Sequence, residues 1–272
     1  MAIVGIILLS LLGLAVLLLC LYLLVLVRPR AHRAPDEALL CDYAHRGLHG
    51  DGIPENSMAA FRRACEAGYG IELDVHLSLD GEVVVFHDET LVRMTGDDRR
   101  LAELTLAELK SLSLAGTDQT IPTLAEVLSL VAGRVPILIE LKGETRNTAL
   151  CEKVAVLMQA YQGTYCFESF NPLLVRKIKK QLPACWCGQL YTDVCRDKGR
   201  RTLLYAILTA MALNCLARPD FIAYNQLDRD SLPVRITTRC YGAACFVWTV
   251  RTEKERATAR ELGECAIFER NG

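Results

Sequence analysis

The sequence predicts an α/β fold: a (β/α)8 barrel with a small insertion, preceded by one N-terminal transmembrane helix. Three observations carry this expectation. From Ala34 onward short apolar runs alternate with amphipathic helical patterns, the signature of βα units and a largely parallel sheet. The runs that qualify as strands number one more than the eight of a closed barrel. Residues 2–27 contain no charge at all.

That first segment is interrupted only by Ser10 and Tyr22. As a helix it would run about 39 Å, at about 1.5 Å per residue, and cross a hydrocarbon core of about 30 Å with some tilt. A cleaved signal peptide would show a basic start, a shorter apolar core and a small-residue cleavage site. None is present, so 1–27 reads as an anchor and 28–40 as a basic linker to a domain over 41–272. Only Met1 precedes the span, whereas Arg28, Arg30 and Arg33 follow it, which places the domain on the cytoplasmic side. Contact of these arginines with anionic headgroups is the lesser reading. His32 reads as a solvated linker residue.

Strands are expected at 42–44, 71–75, 83–86, 137–141, 165–167, 188–191, 221–224, 245–249 and 266–268. Helices are expected at 58–67, 124–131, 148–161, 172–181 and 252–262. The surplus strand is expected among the short runs near the ends. Between Val75 and Val83 the link is too short for a crossover helix, and Asp80-Gly81 signals a turn. The polar stretch 88–120, with a short helix around 106–112, reads as an insertion over the mouth of the barrel.

Composition narrows the function. A net charge of -1, with no basic stripe and no aromatic–basic interleaving, argues against a nucleic-acid partner. There are 12 cysteines, but one, Cys20, lies in the apolar segment, and the only close pair is Cys185 and Cys187. Neither a disulfide framework nor a zinc knuckle fits this pattern. Small buried thiols in a reducing compartment do.

The chemistry concentrates in residues 41–88. Glu72 and Asp74 sit two apart in a strand-like run and so share a face. Two carboxylates beside His45 and His87 suggest a hard cation with acid–base partners. Glu140 follows three aliphatic residues, which fits a barrel rim better than an exposed surface.

The series AHRG, PENS, ELDV, FHD, IPTLAEVL, LIELK, SFNP and VWTV resembles the glycerophosphodiester phosphodiesterase family, in the family's order, from residue 41 to about residue 251. The resemblance implies a TIM barrel that uses a divalent cation, calcium or magnesium, to release an alcohol and glycerol 3-phosphate from glycerophosphodiesters. By the same resemblance Glu72, Asp74 and Glu140 are the metal ligands, and His45 and His87 the acid–base pair. Arg46 and Lys142 match positions that touch the phosphate. Glu55 stands behind them or meets glycerol hydroxyls, and Trp248 walls the pocket or is a core aromatic. Asn56 and Ser57 read as a helix cap, while His49 and His76 match no required position. The family's closing G-x-x-T-D-x-P is altered here, with Glu269 standing for the aspartate and Asn271 for the proline.

One feature lies outside the resemblance. Residues 203–217, LLYAILTAMALNCLA, read as a helix of about 22 Å without the polar face of an ordinary barrel helix. Membrane contact is favoured over a buried helix or an oligomer contact. Three functions therefore compete: a membrane-anchored diesterase, a lysophospholipase D acting on acylated lipids, and an inactive lipid-binding scaffold. The scaffold would have lost its acidic and histidine residues, and all are present.

Overall fold

The structure, a computed structural model, describes residues 1–30, 34–143 and 148–270. The expectations for His32, Arg33 and Asn271 fall outside the described residues. Among the described residues nine strands form one sheet: β1 (Tyr43–Ala44), β2 (Gly70–Leu77), β3 (Val83–Val85), β4 (Ile137–Leu141), β5 (Tyr165–Ser169), β6 (Trp186–Tyr191), β7 (Phe221–Asn225), β8 (Ala244–Val250) and β9 (Cys265–Phe268). Their order is β1-β9-β8-β7-β6-β5-β4-β2, closed by β1 on β2, all parallel. This is the eight-stranded TIM-like barrel that the sequence predicts.

The surplus strand is β3 and not a run near the chain ends. It pairs antiparallel with the far end of β2, through the turn at Asp80-Gly81, where Gly81 has φ +81°. A strand of three residues returning over a tight turn cannot enter a parallel barrel, so it starts the insertion. Residues 88–120 then bury a small core of Leu91, Leu101, Leu104, Leu109 and Leu114 against Phe86.

Alternation along each strand sorts residues into two cores. Inward positions at the lower end fill the barrel with Tyr43, Trp186, Phe221 and Phe246, the last two with ring centroids 4.4 Å apart. Outward positions pack against the helices, including Met58–Ala67, Leu124–Val131, Ala149–Ala160 and Pro172–Gln181. Three of these four helices start on a side chain that caps the backbone: Ser57, Thr123 and Asn171. All twelve cysteines are free, and Cys151, Cys166, Cys185, Cys187 and Cys265 are buried.

At the N-terminus an α-helix, Ala2–Leu21, continues as a π-helical turn, Tyr22–Leu26. The 25 residues are long and apolar enough to cross a membrane. Val27 is fully buried against the barrel helices. The stretch 203–217 is not one helix. It breaks into Leu203–Thr209 and Asn214–Ala217, with Met211 at φ +50° between them. Met211, Asn214 and Ala217 are buried, whereas Leu203 is 80% and Leu204 57% exposed.

Gly188 shows how full the barrel is. A Cβ there would stand 2.1 Å from the Phe221 ring, inside a closed wall. Gly188→Ala is expected to cost on the order of 1–3 kcal/mol, as overpacking does. A thermal melt indistinguishable from the parent's would show that the ring can turn aside.

Candidate active site

The site lies at the C-terminal ends of the strands. Glu72 and Asp74 come from β2, Glu140 from β4 and Glu168 from β5, and the register pairs Asp74 with Glu140 and Glu140 with Glu168. Ligand oxygens of Glu72, Asp74 and Glu140 all lie within 4.8 Å of one another, and all three residues are buried. Lys142 reaches back over this cluster, its Nζ 2.9 Å from Asp74 Oδ1 and 2.8 Å from Glu140 Oε2. Asn56 Nδ2 donates to Asp74 Oδ2 at 2.8 Å, and the backbone N–H of Arg46 donates to Glu72 Oε2 at 2.8 Å.

These contacts divide the carboxyls. Burial, then repulsion from Asp74 and Glu140, pushes Glu72 well above the carboxylate range. Glu140 rises to about 7, chiefly by burial, with Lys142 opposing. Burial acts on Asp74 too, but Lys142, His87 and Arg46 overcome it and hold that carboxyl well below its ordinary value. Glu168 is raised by burial and by Glu72 and Glu140, and its Oε2 finds no hydrogen-bond partner among the described residues.

An oxygen-only donor set suits a hard divalent cation. The charge count agrees. Three carboxylates against the Lys142 ammonium leave two negative charges over, and Arg46, 3.7 Å from Asp74, divides its charge between that carboxylate and Glu55 at 2.9 Å. A bound cation would replace the protons that burial drives onto Glu72 and Glu140. The residues present fit such a group.

Each histidine is gripped at Nδ1 by its own carboxylate. His45 Nδ1 is 2.7 Å from Glu269 Oε1, and Arg251 holds the other oxygen of Glu269 at 2.9 Å. His87 Nδ1 is 2.6 Å from Asp88 Oδ1. Arg93 ties Asp88 (2.6 Å) to Glu55 (2.7 Å). With both Nδ1 atoms engaged as donors, each Nε2 is left to take or give a proton. Burial lowers the pKa of both rings, against the opposing pull of Glu269 on His45 and of Asp74 on His87.

The turn after β1 places His45 and Arg46. Arg46 and Asn56 take left-handed φ values of 55° and 51°. Gly47 follows at φ +79°, where a Cβ would meet that of Ala60 at 2.9 Å. Only glycine lets the turn press so closely on the helix Met58–Ala67.

Seven of the nine residues named from sequence line one pocket: His45, Arg46, Glu72, His87, Glu140, Lys142 and Trp248. Asp74 lies beneath Lys142, and Glu55 stands behind Arg46. Trp248 both walls the pocket and sits in the seam, its Nε1 donating to Ala223 O at 3.2 Å and its ring edge-on to Phe170. Ser57 is the helix cap, accepting from Ala60 N. Asn56 is not. It is buried on Asp74, a correction to its reading as part of the cap. His76 approaches the carbonyl of His87 at 3.2 Å, and His49 is absent from the pocket lining.

Sequence reasoning gave no role to Asp88, Glu168 and Phe170. Asp88 had a signal, being next to a strand-end histidine. Glu168 and Phe170 had a weaker one, their place around the SFNP run.

A model of the Glycerophosphoryl diester phosphodiesterase family matches residues 45–269. The glycerophosphodiester phosphodiesterase of Caldanaerobacter subterraneus subsp. tengcongensis is 39% identical over 160 residues, 54% of this chain and 65% of that enzyme, so the match spans just under two thirds of its length. Lysophospholipase D GDPD1 of Rattus norvegicus is 34% identical over 83% of this chain and 81% of its own. A phosphodiesterase of Oleispira antarctica, solved with the product sn-glycerol-3-phosphate, superposes with a TM-score of 0.70 at 25% identity, covering 84% of this chain and 92% of that one.

The hydrogen bond to Glu269 raises the His45 pKa while burial lowers it. Glu269→Gln removes the charge and should move His45 further down, leaving His87 in place. Histidine NMR titration of the chelator-treated protein reads both. An upward shift of His45 would refute the pairing.

Proposed function

The chain belongs to the glycerophosphoryl diester phosphodiesterase family, a family of phosphoric diester hydrolases, and we propose that it cleaves glycerophosphodiesters at a membrane surface, using calcium or magnesium. The observation that carries this reading is the pairing, in one pocket, of a buried carboxylate triad with two histidines separately aimed by Glu269 and Asp88.

Glu72, Asp74 and Glu140 would hold the cation. When bound it supplies positive charge to the phosphate oxygens. Lys142 and Arg46 add their own charge as negative charge builds on the phosphorus oxygens. One histidine Nε2 takes the proton of the glycerol 2-hydroxyl, whose oxygen attacks phosphorus. The bond to the leaving alcohol breaks, and the other histidine, which enters this step protonated at Nε2, gives that proton to the alcohol. Water then opens the cyclic phosphate with the two roles exchanged, giving glycerol 3-phosphate.

A lysophospholipase D activity on lipids that keep an acyl chain is the second reading. It draws on the rat relative and on the apolar wall of Phe170, Leu190 and Trp248. The membrane location is supported by the uncharged helix Ala2–Leu26. Its last turn is built into the domain, with Asn214 Nδ2 donating to Val27 O at 3.0 Å, which argues for its retention. Arg28 and Arg30 after the span, with free cysteines in the domain, favour the cytoplasmic side.

A release assay over water-soluble diesters and lysolipids, with and without calcium or magnesium, tests the reading. No release from either class would overturn it. Glu72→Gln, Asp74→Asn and Glu140→Gln each remove a charge while keeping shape, and each should abolish most turnover and weaken cation binding measured by calorimetry. Full activity in excess chelator would refute the metal assignment.

His45→Ala and His87→Ala should each lower kcat by roughly two to four powers of ten, the usual range for an acid–base group. His49→Ala should change kcat little. Equal losses at His49 and His45 would mean that the wrong ring has been assigned.

A further inference from the structure

The N-terminal segment docks on the barrel in one direction. Tyr22 Oη donates to Ala210 O at 3.0 Å. Asn214 Nδ2 donates to Val27 O at 3.0 Å, and the Arg30 N–H donates to Pro219 O at 2.9 Å. Arg30 then reaches Asp220 at 3.5 Å. Contacts therefore advance together along both segments, 22 with 210, 27 with 214, 30 with 219. Residues 210–220 belong to the crossover that leaves the C-terminal end of β6 and returns to the start of β7. They run from the mouth of the barrel toward its floor, and so does the segment 22–30. The helix Ala2–Leu21 must accordingly leave the domain at the mouth end.

That helix has 20 residues, none buried. Its length is about 30 Å, which matches a hydrocarbon core of about 30 Å. The bilayer boundary then falls near Tyr22, where the Tyr22 hydroxyl meets Ala210 O and Leu23 O accepts from the Tyr241 hydroxyl, with the helix pointing onward past the mouth. Arg28 stacks over Tyr241 at 5.9 Å and Arg30 is at the floor, so these two lie down the flank and away from the headgroups.

The mouth carries a surface suited to that neighbour. Following β6, Lys198, Arg200 and Arg201 are exposed and lead directly into exposed Leu203 and Leu204. The acidic residues of the same loop are engaged elsewhere: Asp197 with Arg196, and Asp193 with the N–H of Arg196 and the Thr209 hydroxyl. No ion pair among the described residues involves Lys198, Arg200 or Arg201, and Arg200 donates to the Tyr205 hydroxyl. Across the rim, following β7, stand Leu227 at 76% and Leu232 at 67% exposure.

We propose that the mouth face of the barrel is a membrane-docking surface, seated through Lys198, Arg200, Arg201, Leu203 and Leu204 on the anionic phospholipid bilayer that the N-terminal helix crosses. The pocket thereby opens onto lipid headgroups. The proposal rests on the anchor reading above and adds orientation to it. Cations at the headgroup level with leucines just beyond them match an anionic interface. The anchor itself brings that interface to the mouth, which singles out a bilayer over a second copy of the chain.

The test uses the full chain reconstituted in vesicles of phosphatidylcholine with phosphatidylglycerol, and the same chain in neutral detergent. Trypsin cleavage after Lys198, Arg200 and Arg201 should slow by about tenfold in the vesicles, while cleavage after Lys180 and Arg260, on other faces, stays unchanged. In parallel, the variant K198E/R200E/R201E/L203S/L204S, still anchored, should lose about tenfold in hydrolysis of bilayer lysolipid and keep its rate on a water-soluble diester. A wild-type chain that washes off in alkaline carbonate overturns the anchor, and the docking with it. A chain that stays embedded yet is cut in the loop as fast as in detergent overturns the docking alone. Loop protection that appears in detergent as protein concentration rises would assign the face to a second copy instead.

Discussion

Three carboxylates buried within 4.8 Å of one another are the constraint to which the mouth of this barrel is fitted. Like charges in a low-dielectric setting repel strongly and lose hydration, so each needs a fixed counterpart. Asp74, the deepest, receives three: Asn56, Lys142 and, at 3.7 Å, Arg46. Glu72 is held by a backbone N–H, and Glu140 shares the Lys142 ammonium. The left-handed turns at Arg46 and Asn56 exist to deliver those donors. The remaining negative charge suits the cluster to a divalent cation and sets it apart from a closed ion-pair network.

The same economy extends outward to the histidines. Glu55 joins Arg46 to Arg93, Arg93 joins Asp88, and Asp88 orients His87. Since Arg93 belongs to the insertion, the small core under 88–120 has a consequence for the pocket: it fixes Arg93, which holds Asp88 against the His87 ring. On the opposite side Arg251 and Glu269 do this for His45. Glutamate at 269 reaches His45 Nδ1 directly, so the altered C-terminal motif keeps a carboxylate where the ring requires one.

The N-terminal helix is joined to this machinery by packing as well as by sequence. Tyr22, Val27 and Arg30 lie along the crossover between β6 and β7, the same wall whose upper loop bears the exposed cations and leucines. The N-terminal helix therefore packs along the same β6–β7 crossover whose loop borders the pocket.

Much of the site was legible in the sequence because its residues stand at strand ends, where a period of two and a short apolar run settle direction. Glu72, Asp74, Glu140, His45 and His87 were found that way, and the barrel followed from the βα alternation. Other residues depended on contacts that no local pattern encodes. Asn56 looked like a cap until the left-handed turn swung it onto Asp74, and Glu168 enters the pocket through the register of β4 on β5. β3 was legible as a strand, but its exclusion from the barrel follows from its antiparallel pairing. The stretch 203–217 kept a helical period throughout, yet it breaks where Asn214 turns in to bond Val27, 187 residues away in sequence. The uncharged N-terminal run by itself marks a helix long and apolar enough to cross a membrane. The direction in which that helix leaves the barrel was decided by tertiary contacts alone, because direction is a property of how two distant segments lie side by side.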